Sequence, residues 1–531
     1  MAIRTITRIL PGEFPTPSTG LLMAALVLLV PVALMAPFYL EPFERDEGVF
    51  ATLAQAILHG ELPYRDAWDH KPPLVATWYA GSFLLFGEGI EAPRIAASAS
   101  AAATCLIVFL LLRRMFGDRT AFIGGLMLGL AYGIPYLQIN ANSEVFLMLP
   151  IVASLFSYWR YRESRSKGWL IAAGVLAGLA FMTKQVAIWN LFALCAFALI
   201  RPMEPGSRRS GLKEVATLVG TALAATLPFF VFFAAHGALG DFIYAIFTYN
   251  EMFAREIPIE TRVLRMVMVE HLDLIPATSF LWAGAAVTVV RLMSKRKISD
   301  GHLLLLVWLA GSYLGVKTSG RDFPHYYVQL LPALAMLSAL ALSDFAAWFQ
   351  RSRLPLAPVA GAIVLVVASS VGWNSRVYAS GSLQQAHEEK FPDRTVTEAD
   401  LEATEIARYI EMTTEPGDRI FNLGRESQLY FLADRLPATQ FIYDRSFWLD
   451  EATFEHALRD LRANPPEIIV DSLSIELVGA RADELPPRFK QFIKEHYEYA
   501  GELNYARIFR LKPTPSSFGG DLLSTSFSGV Y

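Results

Sequence analysis

Long apolar runs alternate with short polar stretches along the first 375 residues of the chain. A helix needs about 20 apolar residues to cross the hydrocarbon core of a bilayer, and the first run, Leu21 to Leu40, has that length. Arg4 and Arg8 precede it, so we interpret it as a signal anchor that is not cleaved. Ten further runs follow, at 92–112, 120–139, 145–159, 169–182, 187–200, 215–235, 274–292, 303–316, 328–349 and 356–371. The pattern predicts a mostly α-helical, polytopic membrane protein with about eleven transmembrane helices.

The pattern changes after residue 375. Residues 376–531 hold 17 Lys and Arg and 26 Asp and Glu, out of 46 and 50 in the whole chain, so this part is suited to water. Helical and strand patterns alternate in it, which predicts a small soluble α/β domain with a partly parallel sheet. The predicted elements are a helix at 401–412, a strand at 418–423, a helix at 452–461 and strands at 467–470, 497–503 and 506–511. We therefore divide the chain into a membrane domain, 1–375, and an α/β domain, 376–531.

The basic residues between the apolar runs predict the orientation of the chain, because cytoplasmic loops are enriched in Lys and Arg. The basic loops all lie on the same side of the membrane as the N-terminus, at 113–119, 160–167, 208–213, 291–297 and 351–353. The opposite loops then face outward, at 41–91, 139–144, 183–185, 236–273 and 317–327. Since the predicted number of spans is odd, we also expect the α/β domain outside the cytoplasm.

Composition and charge exclude several classes of protein. With 53% hydrophobic and 18% charged residues and a mean hydropathy of +0.36, the chain is not an ordinary soluble protein. A net charge of −4 offers no concentrated positive surface for a nucleic acid. Cys105 and Cys195 both lie in apolar runs, so we expect two small buried side chains rather than a disulfide or a thiolate metal site.

The first outer loop, 41–91, contains two polar motifs joined by a helical pattern. Residues 44–48 are ERDEG and residues 68–74 are WDHKPPL. Between them apolar residues recur at helical spacing up to Gly60, which predicts an amphipathic helix along the outer membrane surface. Asp46 lies at its N-terminus, where it either caps the helix or acts as a general base toward an attacking hydroxyl. The two roles are compatible.

Several cations lie at the outer boundary of the membrane. Lys71 precedes Pro72-Pro73, a favoured start for a helix, and is either an interfacial lysine or a phosphate ligand. Lys184 lies in a break between two apolar runs, and the loop 317–327 adds Arg321 and His325. Because cations at membrane depth are costly, we treat these residues as candidate ligands of one lipid-linked phosphate.

A metal site is a further hypothesis from the outer loops. The candidate ligands are Asp66, Asp69, His70 and His325, all on the same predicted side of the membrane. No His/Glu pair at i, i+3 or i, i+4 fixes these ligands to one helix face, so the sequence leaves a divalent metal open as a cofactor.

Together the outer-loop motifs resemble those of a known family. In chain order they are Asp46-Glu47-Gly48, Tyr64 and Asp66, Trp68-Asp69-His70-Lys71-Pro72-Pro73-Leu74, Gly87, Arg94, Lys184, and Arg321 with Pro324-His325-Tyr326-Tyr327. In these residues the chain resembles the bacterial branch of the protein O-mannosyltransferase and lipid A aminoarabinose transferase superfamily, the GT-C membrane glycosyltransferases. The resemblance covers about residues 20–350, and its most specific part is the pairing of the Asp-Glu and Lys-Pro-Pro-Leu motifs in one outer loop.

The resemblance implies roles for individual residues. It assigns the catalytic base to Asp46 and binding of the donor phosphate to Lys71. Further candidates for the phosphate site are Lys184, Arg321, His325 and the neighbouring Tyr326. Two other acids are candidates for catalysis, Glu47 beside the base and Glu144 in the next outer loop.

We interpret the chain as an inverting glycosyltransferase at the outer face of a bacterial inner membrane. It would transfer a sugar from a polyprenyl-phosphate donor to a hydroxyl of a glycan, lipid or protein, among membrane lipids and without a nucleotide. The rival hypothesis is a transporter or flippase that moves a lipid-linked sugar without chemistry. Transporters keep ionisable groups near the bilayer midplane and show internal repeats. Here the acids and bases cluster in outer loops and no repeat is visible, so we favour the enzyme.

Overall fold

The computed structural model describes residues 17–267, 274–295, 297–321, 323–351, 357–391, 394–443, 451–472, 487–504 and 506–513. The N-terminal half consists of helices: α1 Pro17–Met35, α2 Arg45–Leu58, α3 Leu74–Phe86, α4 Glu91–Phe116, α5 Asp118–Ala131, α6 Ser143–Ser164, α7 Lys167–Thr183, α8 Ile188–Ile200, α9 Arg208–Ala235, α10 Leu239–Ile243, α11 Asn250–Arg255 and α12 Ile259–Val267. Short 3₁₀ turns lie at Ala36–Phe38, Pro135–Leu137 and Gln185–Ala187, and a π-helical turn at Tyr244–Tyr249.

The second half of the chain begins with long helices and ends in a mixed α/β unit. Its elements are α13 Leu274–Met293, α14 Asp300–Lys317, a 3₁₀ stretch Pro324–Leu330, α15 Leu331–Arg351, α16 Ala357–Tyr378, α17 Leu383–Lys390, α18 Arg394–Thr413, β1 Ile420–Asn422, α19 Gln428–Leu432, α20 Glu451–Ala463, β2 Ile468–Asp471, α21 Pro487–His496, β3 Tyr497–Leu503 and β4 Ala506–Leu511. The predicted helices and strands of residues 401–511 are all present, although the helix expected at 401–412 begins earlier, at Arg394.

Many of the helices present apolar side chains outward, as contact with lipid requires. Leu85 is 77% exposed, Val290 66% and Leu223 63%. Among the described residues five segments are long and apolar enough to cross a membrane: Ser18–Phe38, Glu91–Phe116, Arg208–Ala235, Leu274–Met293 and Pro324–Trp348. The mostly helical membrane architecture is thus confirmed, whereas the count of eleven spans stays a prediction. Three further apolar helices, Leu74–Phe86, Lys167–Thr183 and Gln185–Ile200, are shorter.

One predicted span is shorter than its apolar run. The run 120–139 was expected to be one helix, but α5 ends at Ala131. Pro135 then opens a 3₁₀ turn, and Gln138 has a left-handed backbone with φ 50°. An apolar run does not reveal such a break, because hydropathy does not distinguish a helix from a buried turn.

The first outer loop contains two helices, as the amphipathic pattern and Pro72-Pro73 predict. The predicted amphipathic helix is α2, and Gly60, with φ +83°, lies just after its end as expected. The helix α3 begins directly after Pro72-Pro73. Residues 47–56 of α2 are all buried, because the C-terminal unit covers the side that we expected to be exposed. A Cβ on Gly48 would lie 2.4 Å from the backbone nitrogen of Gln428.

The C-terminal α/β unit, residues 394–513, contains a four-stranded sheet in the order β1-β2-β4-β3. β1 pairs with β2 in parallel, with Phe421 opposite Ile469, whereas β4 is antiparallel to both of its neighbours. The partly parallel sheet predicted from the alternating pattern is therefore present. One face of the sheet packs against α20 and α21, where Phe421, Ile469 and Leu461 share a buried core.

Hydrogen bonds fasten this unit to α2. Ser427 Oγ donates to the carbonyl of Arg45 at 2.9 Å, and Thr52 Oγ1 donates to the carbonyl of Ser427 at 3.1 Å. Farther along α2, Gln55 Nε2 donates to Asp434 Oδ1 at 2.6 Å. The helix that begins at the ERDEG motif is therefore held between the membrane helices and the α/β unit.

Candidate active site

The N-terminus of α2 is capped by Glu44, not by Asp46. The Glu44 carboxylate accepts the backbone N–H groups of Asp46 at 3.0 Å and Glu47 at 3.4 Å, and Glu47 in turn accepts the N–H of Glu44. This reciprocal arrangement is a capping box, which satisfies the free donors of the first turn. The capping role that we considered for Asp46 is therefore wrong, and its carboxylate is left for other contacts.

Glu47 points away from Asp46 into the protein. Its carboxylate accepts two hydrogen bonds from Arg94, at 2.9 Å and 2.5 Å, and one from the backbone N–H of Ala141 at 3.0 Å. Both Glu47 and Arg94 are buried, and such a bidentate pair is among the strongest contacts available to a carboxylate. Glu47 therefore links α2 to α4 through Arg94. The sequence had indicated Glu47 as a candidate for catalysis.

Asp46 faces the predicted cations and remains 39% exposed. Its Oδ2 lies 3.9 Å from Nε2 of His325, and Lys71 and Lys184 lie within electrostatic reach. Burial by itself would raise the pKa of Asp46, but Lys71, His325 and Lys184 together outweigh that effect and hold the pKa below its usual value. The side chain is therefore an ionised carboxylate at the pH of a cell.

Lys71 is buried beside Asp69, and Pro72-Pro73 fixes the direction of the chain that follows it. Its Nζ lies 3.7 Å from Oδ2 of Asp69 and 4.8 Å from the ring centre of Phe50, where the cation meets the face of the ring. Burial alone would lower the pKa of Lys71, but Asp69 and Asp46 more than offset it and raise the pKa. Lys71 thus keeps its positive charge inside the protein.

Lys184 comes from a different part of the chain, the break between α7 and the 3₁₀ turn that follows it. Its Nζ forms an ion pair with Oε1 of Glu144, in the first turn of α6, and lies 4.3 Å from the ring centre of Tyr326. Ser143 Oγ donates to the other oxygen of Glu144 at 2.9 Å. The structure therefore brings Lys184, Glu144, His325 and Tyr326 to the side of Asp46 that Lys71 also faces.

Arg321 lies at the edge of this cluster. Its guanidinium is 3.8 Å from the ring centre of Phe253 and forms an ion pair with Glu256, both in the outer loop 236–273. A phosphate that uses Arg321 has to compete with Glu256 for it. The sequence did not indicate this partner, because Glu256 lies 65 residues away in a loop without a motif.

The candidate metal ligands do not form a single cluster. Asp66 pairs with the neighbouring Arg65, Asp69 and His70 lie side by side, and His325 faces Asp46. Within the described ranges no three His, Cys, Asp or Glu side chains are grouped so that they could hold a metal ion.

Three carboxylates and two ammonium groups face one another in the cluster. The acids are Asp46, Asp69 and Glu144, and the bases are Lys71 and Lys184. An anion that binds here competes with Asp69 and Glu144 for the ammonium groups of Lys71 and Lys184. The arrangement thus offers an anion site next to an ionised carboxylate, which is the pair of functions needed for transfer from a phosphate to a hydroxyl.

Comparisons with known proteins identify membrane glycosyltransferases that are similar to this chain. The model of the family described as dolichyl-phosphate-mannose-protein mannosyltransferase matches residues 70–233. An undecaprenyl phosphate-alpha-4-amino-4-deoxy-L-arabinose arabinosyl transferase from Pseudomonas aeruginosa is 25% identical over 334 residues, 60% of this chain. The match spans 58% of the length of that relative.

Two solved structures share the fold. The crystal structure of ArnT from Cupriavidus metallidurans bound to undecaprenyl phosphate superimposes with a TM-score of 0.57 at 17% identity, over 92% of this chain and 97% of that one. The crystal structure of an oligosaccharyltransferase from Archaeoglobus fulgidus, tethered to an acceptor peptide, superimposes with a TM-score of 0.54 at 14% identity, over 87% of this chain and 70% of that one. The family resemblance seen in the outer-loop motifs is therefore confirmed: the chain is similar to GT-C membrane glycosyltransferases.

Proposed function

We propose that the protein transfers a sugar from a polyprenyl-phosphate donor to a hydroxyl of a glycan, lipid or protein, with inversion at the anomeric carbon. The observation that supports this most directly is the convergence of Asp46 with Lys71 and Lys184, from three separate segments, at one partly open site. The arabinosyl transferases among its relatives are named for an undecaprenyl-phosphate donor, which fits an anion site beside membrane helices.

The charge that develops during transfer explains why ammonium groups are needed. The acceptor oxygen forms a bond to the anomeric carbon while the bond from that carbon to the phosphate oxygen breaks. The phosphodiester has one negative charge, and the polyprenyl phosphate that leaves gains another. Lys71 and Lys184 attract the leaving phosphate more strongly than the bound donor, so they lower the barrier rather than only the energy of binding.

The acceptor proton goes to Asp46 as the new bond forms. In the free protein the neighbouring cations make Asp46 a weak base. When the donor phosphate binds, its negative charge neutralises part of the field of Lys71 and Lys184 at Asp46. The pKa of Asp46 therefore rises, and the carboxylate is a stronger base once the donor is bound. Attack from the side opposite the phosphate inverts the anomeric centre.

The proposed function includes an orientation of the protein in the membrane. We infer that the cluster and the α/β unit lie outside the cytoplasm of a bacterial inner membrane, as the basic loops on the opposite side indicate. A reporter fused after Tyr531 should then be exposed outside the cytoplasm. A cytoplasmic reporter would reverse the placement of all the outer loops.

The deciding experiment is transfer in vitro with the purified full chain. A panel of undecaprenyl-phosphate sugars, including 4-amino-4-deoxy-arabinose, is incubated with lipid, glycan and peptide acceptors, and products are identified by mass spectrometry and by NMR at the anomeric carbon. Formation of an inverted product supports the proposal. Movement of donor across vesicle membranes without any product would instead identify a flippase.

A further inference from the structure

A short segment of the α/β unit runs beside the second motif of the first outer loop. The backbone N–H of Trp68 donates to the carbonyl of Gln440 at 2.8 Å, and Trp68 pairs with Phe441 in parallel. Two residues farther along each segment, the hydroxyl of Tyr443 lies beside the ring of His70. This backbone pairing thus holds the segment that contains Tyr443 against the WDHKPPL motif.

The hydroxyl of Tyr443 completes the surroundings of Asp69. It donates to Oδ1 of Asp69 at 3.2 Å and lies 3.1 Å from Nδ1 of His70. Nδ1 of His70 is itself 3.1 Å from the same Oδ1. The Tyr443 ring packs near Trp68, with ring centres 6.0 Å apart, so both the hydroxyl and the ring of Tyr443 have partners in the WDHKPPL motif.

These contacts determine which oxygen of Asp69 faces Lys71. Since Oδ1 is taken by Tyr443 and His70, Oδ2 is left toward Nζ of Lys71 at 3.7 Å. Asp69 is 1% exposed, so water does not replace these partners. Without the Tyr443 hydroxyl, Oδ1 would keep only the His70 ring, so the buried carboxylate would be held less firmly and Lys71 would lose a fixed neighbour.

The backbone carbonyl of His70 is held as well. His70 O accepts from Gln185 Nε2 at 2.8 Å and from Asn250 Nδ2 at 2.8 Å. The main chain before Lys71 is thus fixed by two amides of the membrane part, while the carboxylate that faces the lysine is fixed by the α/β unit.

We propose that Tyr443 is a positioning residue for the donor phosphate, through which the α/β unit completes the phosphate site. It acts through Asp69 on Lys71 and does not itself touch the donor. This inference rests on the proposed function for the identity of the anion, and it assigns the α/β unit a role in donor binding instead of acceptor choice.

The test measures the affinity of the full-length protein for undecaprenyl phosphate, without sugar, in a double-mutant cycle of Tyr443→Phe and Asp69→Asn. Loss of one hydroxyl hydrogen bond to a carboxylate should weaken binding by roughly three- to tenfold in Tyr443→Phe. If the hydroxyl acts through Asp69, the same change made in Asp69→Asn should alter affinity by less than about twofold. In transfer assays the KM for donor should rise while the KM for acceptor stays unchanged.

Tyr497→Phe is the matched control, because Tyr497 is also a buried tyrosine of the α/β unit whose hydroxyl donates to a carbonyl, that of Pro466 at 3.0 Å. It should leave donor affinity unchanged. The proposal would be overturned if Tyr443→Phe bound undecaprenyl phosphate as tightly as the wild type. It would also be overturned if Tyr443→Phe weakened binding equally in the wild type and in Asp69→Asn. An equal loss of affinity in Tyr497→Phe would overturn it as well, since that points to general damage to the unit.

The binding and transfer measurements separate the two proposals. If the wild type binds undecaprenyl phosphate and the cycle shows coupling, but no sugar is ever transferred, the function is wrong and the role of Tyr443 stands. If transfer occurs and the cycle shows no coupling, the function stands and the role of Tyr443 is wrong. A wild type that binds no undecaprenyl phosphate would overturn the role of Tyr443.

Discussion

The replacement Asp46→Asn separates chemistry from structure more cleanly than any other change in the chain. Because Glu44 supplies the helix cap, the amide at position 46 removes no capping hydrogen bond. The loss of a negative charge from the first turn of α2 costs about 0.3 to 1 kcal/mol through the helix dipole. We therefore expect a folded protein with a slightly lower melting temperature.

The expected loss of transfer is far larger. A positioned general base contributes about 10² to 10⁴ in rate, which corresponds to about 2.7 to 5.5 kcal/mol in the barrier. Donor affinity should move in the opposite direction or not at all. Asp46 competes with the donor phosphate for Lys71 and Lys184, so its removal leaves both ammonium groups freer to bind the anion.

The assay follows transfer and undecaprenyl-phosphate binding on one purified sample of each protein. Asp118→Asn is the matched control, since Asp118 is also in the first turn of a helix and pairs with the partly exposed Arg113. It should retain wild-type transfer. Transfer by Asp46→Asn within about tenfold of wild type, in a protein that still binds donor, would refute the assignment of the base.

Three further predictions address the cations, the pH dependence and the packing of the α/β unit. Lys71→Ala should weaken donor binding at least tenfold, since a charge-assisted contact to phosphate contributes about 1.5 to 3 kcal/mol; unchanged affinity would show that the phosphate binds elsewhere. The activity of ionised Asp46 is lost as the pH falls through its pKa, which is lowered in the free protein and rises when the donor anion binds. The acid limb of kcat should therefore lie at higher pH than that of kcat/KM, and coincident limbs would contradict this coupling. Gly48→Ala should destabilise the protein by about 1 to 3 kcal/mol in chemical unfolding, because its Cβ would overlap the backbone of Gln428. Gly81→Ala, where a Cβ meets nothing within 4 Å, should not destabilise it.

Most of the helices and strands could be predicted from the sequence, because their signals are local. Apolar runs predict α4 and α13, and an amphipathic pattern with a glycine stop predicts α2, each to within a few residues; strand patterns predict β3 and β4. The sequence also indicated which side chains were worth attention. The two motifs of the first outer loop and the resemblance that they support led to Asp46, Lys71 and Lys184 before any geometry was known.

The separate roles of Asp46 and Glu47 follow from contacts between distant segments, which the sequence does not reveal. Asp46 and Glu47 are adjacent in sequence, yet one faces the cations and the other binds Arg94, 47 residues away. The cap belongs to Glu44, although Asp46 has the residue type that caps more often. A rotation of about 100° per residue sends adjacent helical side chains to different surroundings, and those surroundings are supplied by other parts of the chain.

The same reason explains why Tyr443 could not be found from the sequence. It lies 374 residues from Asp69, in a segment without a motif, and only the pairing of residues 440–441 with Trp68 brings the two together. Local patterns depend on the neighbours within one turn of helix or one strand, whereas contacts between distant segments depend on how whole elements pack. Hydrophobic periodicity thus determined the elements, and their packing decided which charges meet.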